Sequence, residues 1–164
     1  MESPKKNSSR QVSLSWVAGL RILVGLMFLT TWGNNLLNGY YTPDGLAQFF
    51  TEYYPPAENP LPFYGAFISN VILPIRGVFA PFQLVAEGVL SVALLFGFFT
   101  PLVSLAGIFF LLNTFLASLG HDWPWSYILP IGILVVVFFT QAGRALGIDA
   151  YLLKRFGDRS RWLW

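Results

Sequence analysis

Residues 82–99 read FQLVAEGVLSVALLFGFF, an apolar stretch long enough to cross a lipid bilayer. One residue interrupts its apolar character: Glu87, near the middle. A carboxylate at that depth costs a few kcal/mol, so intramembrane carboxylates face the interior of a helix bundle and need a partner. The partner of Glu87 therefore bears on how the helices pack and on where a functional site lies.

The composition indicates a protein whose surface mostly faces lipid. Of the 164 residues, 55% are hydrophobic and 11% are charged, whereas soluble domains average about 25% charged residues. The 16 Phe, 7 Tyr and 6 Trp are typical of aromatic belts at two membrane interfaces. The predicted partners are the lipid bilayer and other membrane subunits, and no nucleic acid is expected.

The residue types present limit the cofactors that this chain can hold. It has no cysteine, which excludes disulfides, thiol chemistry and Fe–S ligation by the chain itself. His121 is the single histidine, so a metal site or a haem with two protein ligands is not expected. We predict no covalently bound cofactor. His121 is either a solvated interfacial residue or, less favoured, one axial ligand to a pigment or haem shared with a partner subunit.

Four apolar segments approach the roughly 20 residues that a membrane helix needs, which predicts an all-α, four-helix transmembrane bundle. The segments are 14–37, 78–99, 101–119 and 126–142. Residues 1–13 are predicted to be a disordered cytoplasmic tail, 14–142 the membrane domain, and 143–164 a basic and aromatic cytoplasmic tail. Basic residues flank the first and last spans, which places both termini in the cytoplasm. The membrane itself is expected to be a prokaryotic cell membrane.

The long connection 38–77 is too aromatic for a flexible linker. Residues 44–54 have apolar positions at helical spacing that end at Pro55-Pro56, and a second short helix is predicted over 63–73. Both helices should form an interfacial cap on the outer side of the bundle. The cap is either a structural lid or the entrance for an amphiphilic ligand.

Four polar residues in the spans are expected to lie close together, because their positions along the helices place them at similar depths in the membrane. Glu87 and Asn113 each lie about 12 residues, or roughly 18 Å, from the cytoplasmic ends of two adjacent antiparallel helices. Arg21 lies about 7 residues into the first span, within reach of Glu87 or of the interface. Gln83 stands one turn from Glu87 on the same face. Either Arg21, Glu87 and Asn113 pin the helices together, or the set lines a pocket that handles protons or a quinone head group.

Three short motifs resemble those of the DoxX-like superfamily. They are Arg21-x3-Gly25-x2-Phe28-x4-Gly33, then Glu87-Gly88 followed by Leu95-x-Gly97-x2-Thr100-Pro101, and Ala142-Gly143-Arg144-x2-Gly147-x-Asp149-Ala150. The aromatic loop NGYYTPDGLAQFF (residues 38–50) resembles the DoxD-like branch. Pro101 stands where an arginine is common in the family.

The resemblance covers roughly residues 14–155 and implies a four-helix membrane protein. Its DoxD-like branch is named for the small subunit of a thiosulfate:quinone oxidoreductase, so it implies a quinone-associated subunit of a membrane oxidoreductase, with quinone as the cofactor. The alternative is a non-catalytic accessory subunit of a larger respiratory or photosynthetic electron-transfer complex. Whether the chain is itself an enzyme stays open at this point.

Overall fold

The structure is a computed structural model that describes residues 13–157. Within this range the chain forms seven α-helices and no strand. The elements in chain order are α1 (Leu14–Leu37), α2 (Pro43–Glu52), a 3-10 turn (Pro56–Glu58), α3 (Pro62–Phe67), a π-helical segment (Ile68–Ile72), α4 (Arg76–Phe96), α5 (Thr100–Ala117), α6 (Trp125–Thr140), a 3-10 turn (Ala142–Arg144) and α7 (Ile148–Phe156).

Among the described residues, the helices α1, α4 and α5 are long and apolar enough to cross a membrane. Helix α6 is equally apolar but has 16 residues, about 24 Å at 1.5 Å per residue. The predicted all-α membrane bundle is therefore confirmed. The observed helices begin and end within three residues of the four predicted spans.

The helices α1 and α4 form the most extensive packing interface, followed by α5 with α6 and then α1 with α6. Gly25 allows the closest approach, because a Cβ there would lie 2.9 Å from the backbone nitrogen of Leu95. Nearer the other end of the pair, Trp32 Nε1 donates to the carbonyl oxygen of Leu84 over 2.9 Å. The two contacts fix α1 and α4 as antiparallel neighbours.

Two apolar clusters hold the described chain together. The bundle core consists of Val24, Phe28, Leu90, Leu94, Leu111 and Leu134. The second cluster joins α2, α3 and the π-helical segment to α4 and consists of Leu46, Phe50, Tyr64, Ile68, Ile72 and Ala80. We call the end of the bundle that carries α2 and α3 the cap end, and the opposite end the α7 end.

The predicted cap helices are present, with boundaries displaced by one or two residues. Thr42 caps α2, because its side chain accepts a hydrogen bond from the Gly45 amide over 3.1 Å. Pro43 follows at the first helical position, where its missing N–H is not needed. Leu46 and Phe50 then face the bundle one turn apart and are buried.

At the α7 end the chain folds back under the bundle after α6. Gln141 turns the chain with a φ of 51°, and Ala142, Gly143 and Asp149 are all buried. The domain boundaries proposed from the sequence stay predictions. Most of the predicted N-terminal tail (1–12) and the end of the C-terminal tail (158–164) lie outside the described residues.

Candidate functional site

Glu87 faces the interior, with an exposed fraction of 2%. The Tyr41 hydroxyl donates to its Oε2 over 2.5 Å. Asn35 completes this group, because its Nδ2 lies 3.5 Å from the Tyr41 oxygen and its amide also faces the carboxylate. Burial, and then the bond to Glu87, raises the pKa of Tyr41, so the hydroxyl keeps its proton and acts as the donor.

The turn between α1 and α2 places Tyr41 over Glu87. The amide of Asn38 closes α1 on the carbonyl of Asn34, and Gly39 then takes a φ of 75°. Glycine adopts this left-handed conformation without the steric cost of a side chain. The chain returns toward the bundle in this way, and Tyr41 is left 6% exposed.

Gln83 lies one turn from Glu87 toward the cap end of α4, on the same side of the helix. Its side chain is half-buried. Within residues 13–157 its amide makes no hydrogen bond or electrostatic contact, and it is therefore available to bind a polar ligand. We call Glu87, Tyr41, Asn35 and Gln83 together the Glu87 site.

The structure does not bring Asn113 to Glu87. Asn113 Nδ2 donates to the carbonyl of Phe109 over 2.7 Å, and its Oδ1 accepts from the Tyr64 hydroxyl over 3.2 Å. The predicted contact was wrong because equal depth on two sequential helices does not make them face each other. Helix α4 packs most extensively against α1, while α5 packs against α6.

Arg21 does not form the ion pair with Glu87 that was one of the two alternatives expected from the sequence. No salt bridge joins them in the described part of the chain. A Cβ on Gly97 would lie 1.7 Å from Arg21 Nη1, so Arg21 sits at the level of Gly97. Glu87 lies in α4 ten residues before Gly97, which caps the end of that helix. The two residues are therefore roughly 15 Å apart along the helix axis. An arginine side chain cannot bridge that separation.

Arg21 is instead enclosed by the segment that follows α6. The side chain has an exposed fraction of 0%, and its Nη2 donates to the carbonyl of Leu146. Asp149 supplies the negative charge that acts on it. The guanidinium passes beside Gly97 and Gly147, where a Cβ would lie 1.7 Å and 2.7 Å from Nη1 respectively. Side chains at either position would displace it.

Asp149 closes the N-terminus of α5. Its two carboxylate oxygens accept from the amides of Phe99 and Thr100, each over 2.8 Å, and its own amide donates to the carbonyl of Gly97 over 3.0 Å. The first amides of a helix have no partner within the helix, and a carboxylate there also interacts favourably with the helix dipole. One residue thus fastens α7 to the α4–α5 turn.

Four buried polar atoms near this end have no hydrogen-bond partner among the described residues: Arg21 Nε and Nη1, Thr100 Oγ1 and Ser104 Oγ. Thr100 and Ser104 are one helical turn apart on the buried face of α5. The α7 end is therefore a polar layer with unsatisfied buried groups, separated by the apolar core from the Glu87 site.

The DoxX family model matches residues 16–120 of the chain, which include α1, the cap, α4 and α5. The chain belongs to the DoxX family. No curated protein and no solved structure matches it. The matched range contains every residue of the Glu87 site, whereas Asp149 and α7 of this DoxX protein lie beyond it.

His121 lies at the cap end of this DoxX protein, in the loop between α5 and α6. Its Nε2 is 3.4 Å from Glu58 Oε2 on the exposed surface. The neighbouring Asp122 is less exposed than His121. Its Oδ2 accepts hydrogen bonds from the hydroxyls of Tyr54 and Tyr127. Burial, and then the bond to Asp122, raises the pKa of Tyr54. These contacts fasten the cap to α5 and α6.

In the described residues, no group of three or more His, Asp or Glu side chains is arranged to hold a metal ion. The predicted role of His121 as an axial ligand stays untested. Chemically, the Glu87 site offers a carboxylate that can exchange a proton, a tyrosine hydroxyl donor and two amides. This set suits a small polar head group with carbonyl oxygens.

The sequence interpretation missed Tyr41, Asn35 and Asp149 as partners. Tyr41 lies in a loop. Helical periodicity identifies which residues share one face of a helix, so it cannot predict where a loop side chain points. The signal that points to it is Gly39, which predicts a tight turn directly after an apolar span. For Asp149 the signal is the pattern Gly143-x3-Gly147-x-Asp149, in which two glycines permit a close backbone approach.

Proposed function

We propose that this DoxX protein is a quinone-associated subunit of a membrane oxidoreductase, with the quinone head group bound at the Glu87 site. The observation that carries the proposal is the buried Glu87 carboxylate, which accepts a hydrogen bond from Tyr41 and has no basic partner within residues 13–157. Intramembrane carboxylates are rare, and where they occur they commonly mark proton or substrate pathways.

The residues of the Glu87 site fit a quinone head group by their chemistry. A quinone presents two carbonyl oxygens, which accept hydrogen bonds, and it takes up two electrons and two protons to become a quinol. Gln83 offers an unengaged side-chain amide for one oxygen. The Tyr41 hydroxyl donates to Glu87, so it can donate to the other oxygen only when a protonated Glu87 donates to it in turn. Glu87 can hold a proton and pass it through the hydroxyl of Tyr41.

The surroundings of the site support a ligand that arrives from lipid. Large apolar side chains on the same helix are exposed on either side of Gln83, including Phe82 at 62% and Val85 at 63%. A quinone tail dissolved in the bilayer would meet this face. The electrons must come from a donor bound by another subunit, because the chain has no cysteine and a single histidine for redox-centre ligation.

The test uses purified full-length protein in nanodiscs that contain a photoreactive quinone analogue. Gln83→Ala should reduce labelling roughly threefold to tenfold, the effect of one lost hydrogen bond. Since Gln83 has no partner within the described chain, its removal should leave the unfolding temperature unchanged. Glu52→Gln, an exposed change on α2, is the control and should label like the wild type.

Glu87→Gln and Tyr41→Phe extend the test. Both should reduce labelling, and labelled peptides should come from α4 and from the turn before α2. Equal labelling of all variants, or label confined to the outer faces of the bundle, would contradict the proposal.

The accessory-subunit alternative draws on a different observation. An apolar groove of about 470 Å³ runs along the outside of α5 and is lined by Leu102, Leu105, Ala106, Ile108, Phe109 and Leu112. A helix of another membrane subunit would cover such a groove. Purification in mild detergent separates the two functions, because an accessory subunit should retain a redox-active partner but no quinone of its own.

A further inference from the structure

Helix α7 is held at the level where the membrane-spanning helices end. Asp149 bonds the first amides of α5, and its own amide bonds the carbonyl of Gly97 directly after α4. Arg21, near the start of α1, donates to Leu146 just before α7. The ends of α4 and α5, together with Arg21 two turns into α1, therefore hold α7 against the end of the bundle.

The exposed side of α7 mixes apolar and cationic side chains. Ile148 and Tyr151 are 40% and 59% exposed, and Leu146 in the preceding turn is 54% exposed. Lys154 and Arg155 follow on the exposed surface in the last turn of the helix. The Arg155 guanidinium reaches back to the Tyr151 hydroxyl over 3.4 Å, so aromatic and cationic groups share one face.

This arrangement matches the composition of a helix that lies in a membrane interface. Apolar and aromatic side chains enter the boundary between head groups and acyl chains, while Lys and Arg remain at the level of the phosphates. A juxtamembrane cation near an anionic leaflet strengthens attachment roughly fivefold. A neutral leaflet offers the apolar side chains the same environment but gives the two cations no counter-charge.

We propose that the exposed face of α7 is a docking surface for anionic lipid head groups of the adjacent leaflet. The proposal is independent of the quinone function, because it concerns the opposite end of the bundle. Three features favour a lipid surface over a protein partner: the charge of Lys154 and Arg155, the exposed Tyr151 ring beside Arg155, and the attachment of α7 to the end of the bundle.

The experiment exploits the absence of cysteine from the chain. Tyr151→Cys carries an environment-sensitive fluorophore, and the full-length protein is placed in nanodiscs of phosphatidylcholine with or without phosphatidylglycerol. The fluorophore should be better shielded from an aqueous quencher in the anionic discs, and high salt should reverse the gain. Titration with phosphatidylglycerol in detergent gives the apparent affinity.

Lys154→Gln with Arg155→Gln should weaken that affinity on the order of 25-fold, two factors of about five. Both side chains are exposed, so the unfolding temperature in neutral discs should not change. Arg76→Gln removes an exposed cation at the start of α4, near the cap end, and should leave the fluorophore at α7 unaffected. Equal quenching in neutral and anionic discs, or a double variant that matches the wild type, would overturn the proposal.

Discussion

At the scale of single residues, the short hydrogen bond to Glu87 comes from a neighbour that the helix pattern does not reveal. Tyr41 provides the hydrogen bond, and the deep position of the carboxylate makes that bond costly to lose. A buried acceptor left without its donor costs about 1–3 kcal/mol. Tyr41→Phe should therefore lower the free energy of unfolding by that amount in a detergent unfolding assay, whereas the half-exposed Tyr53→Phe should change it little.

A double-mutant cycle shows whether the effect belongs to Glu87. With Glu87→Leu already present, Tyr41→Phe should cost much less, since no buried carboxylate then remains unpaired. Arg21→Leu should instead add to Glu87→Leu within about 0.5 kcal/mol, because the two side chains lie at opposite ends of the bundle core. Strong coupling of Arg21 to Glu87 would contradict the arrangement described above.

Gly143 shows how little room the α7 end leaves. A Cβ at this position would lie 2.1 Å from Thr100 Oγ1 and 2.3 Å from Asp149 Oδ2. Gly143→Ala should therefore displace Asp149 from the end of α5 and cost about 2–3 kcal/mol. Gly132→Ala in α6 is the matched control, because nothing lies within 4 Å of its Cβ, and it should be neutral or stabilising. Thermal unfolding of both variants in one detergent makes the comparison.

At the scale of helices, periodicity and composition were sufficient to find the spans and both cap helices. The runs of apolar residues are long, and Gly97, Pro55 and Pro124 mark where helices stop or begin. Which helices become neighbours was not predictable in the same way. The sequence order favours α4 beside α5, but the close approach at Gly25 draws α4 to α1.

The Glu87 site was predictable only in part, because the sequence does not show which segments become neighbours in the folded chain. Glu87 and Gln83 stand out because they interrupt an apolar helix. Their partners come from a turn whose path depends on Gly39, and the partners of Arg21 come from a segment that resembles a polar tail in the sequence. Local composition does not show that such segments return to the bundle.

The cap should be sensitive to changes on the face of α2 that meets the bundle. Phe50 is buried with Leu46 against α4, so Phe50→Asp would place a carboxylate in an apolar cluster. We expect a loss of about 3 kcal/mol or more, from lost apolar burial and from desolvation of the charge. Thr51→Asp, one residue along on the exposed side, should have little effect. Hydrogen exchange of 43–52 should increase only in the first variant.

At the scale of the whole molecule, the two ends differ in a way that favours one orientation. The α7 end carries Lys154 and Arg155 together with the start of α1, which follows a basic segment in the sequence, whereas the cap carries Asp44, Glu52 and Glu58. Basic residues are retained on the cytoplasmic side of a membrane. We therefore expect the α7 end in the cytoplasm and the cap outside.

Because the chain has no cysteine, single cysteines report this orientation directly. Ala66→Cys in α3 and Lys154→Cys in α7 are both exposed positions. An impermeant maleimide should label Ala66→Cys in intact cells and Lys154→Cys only after the membrane is opened, with the wild-type chain as the unlabelled control. The reverse pattern would contradict this orientation and place the cap in the cytoplasm. Any protons that reach Glu87 through Tyr41 would then come from the cytoplasm, because Tyr41 lies on the cap side of Glu87.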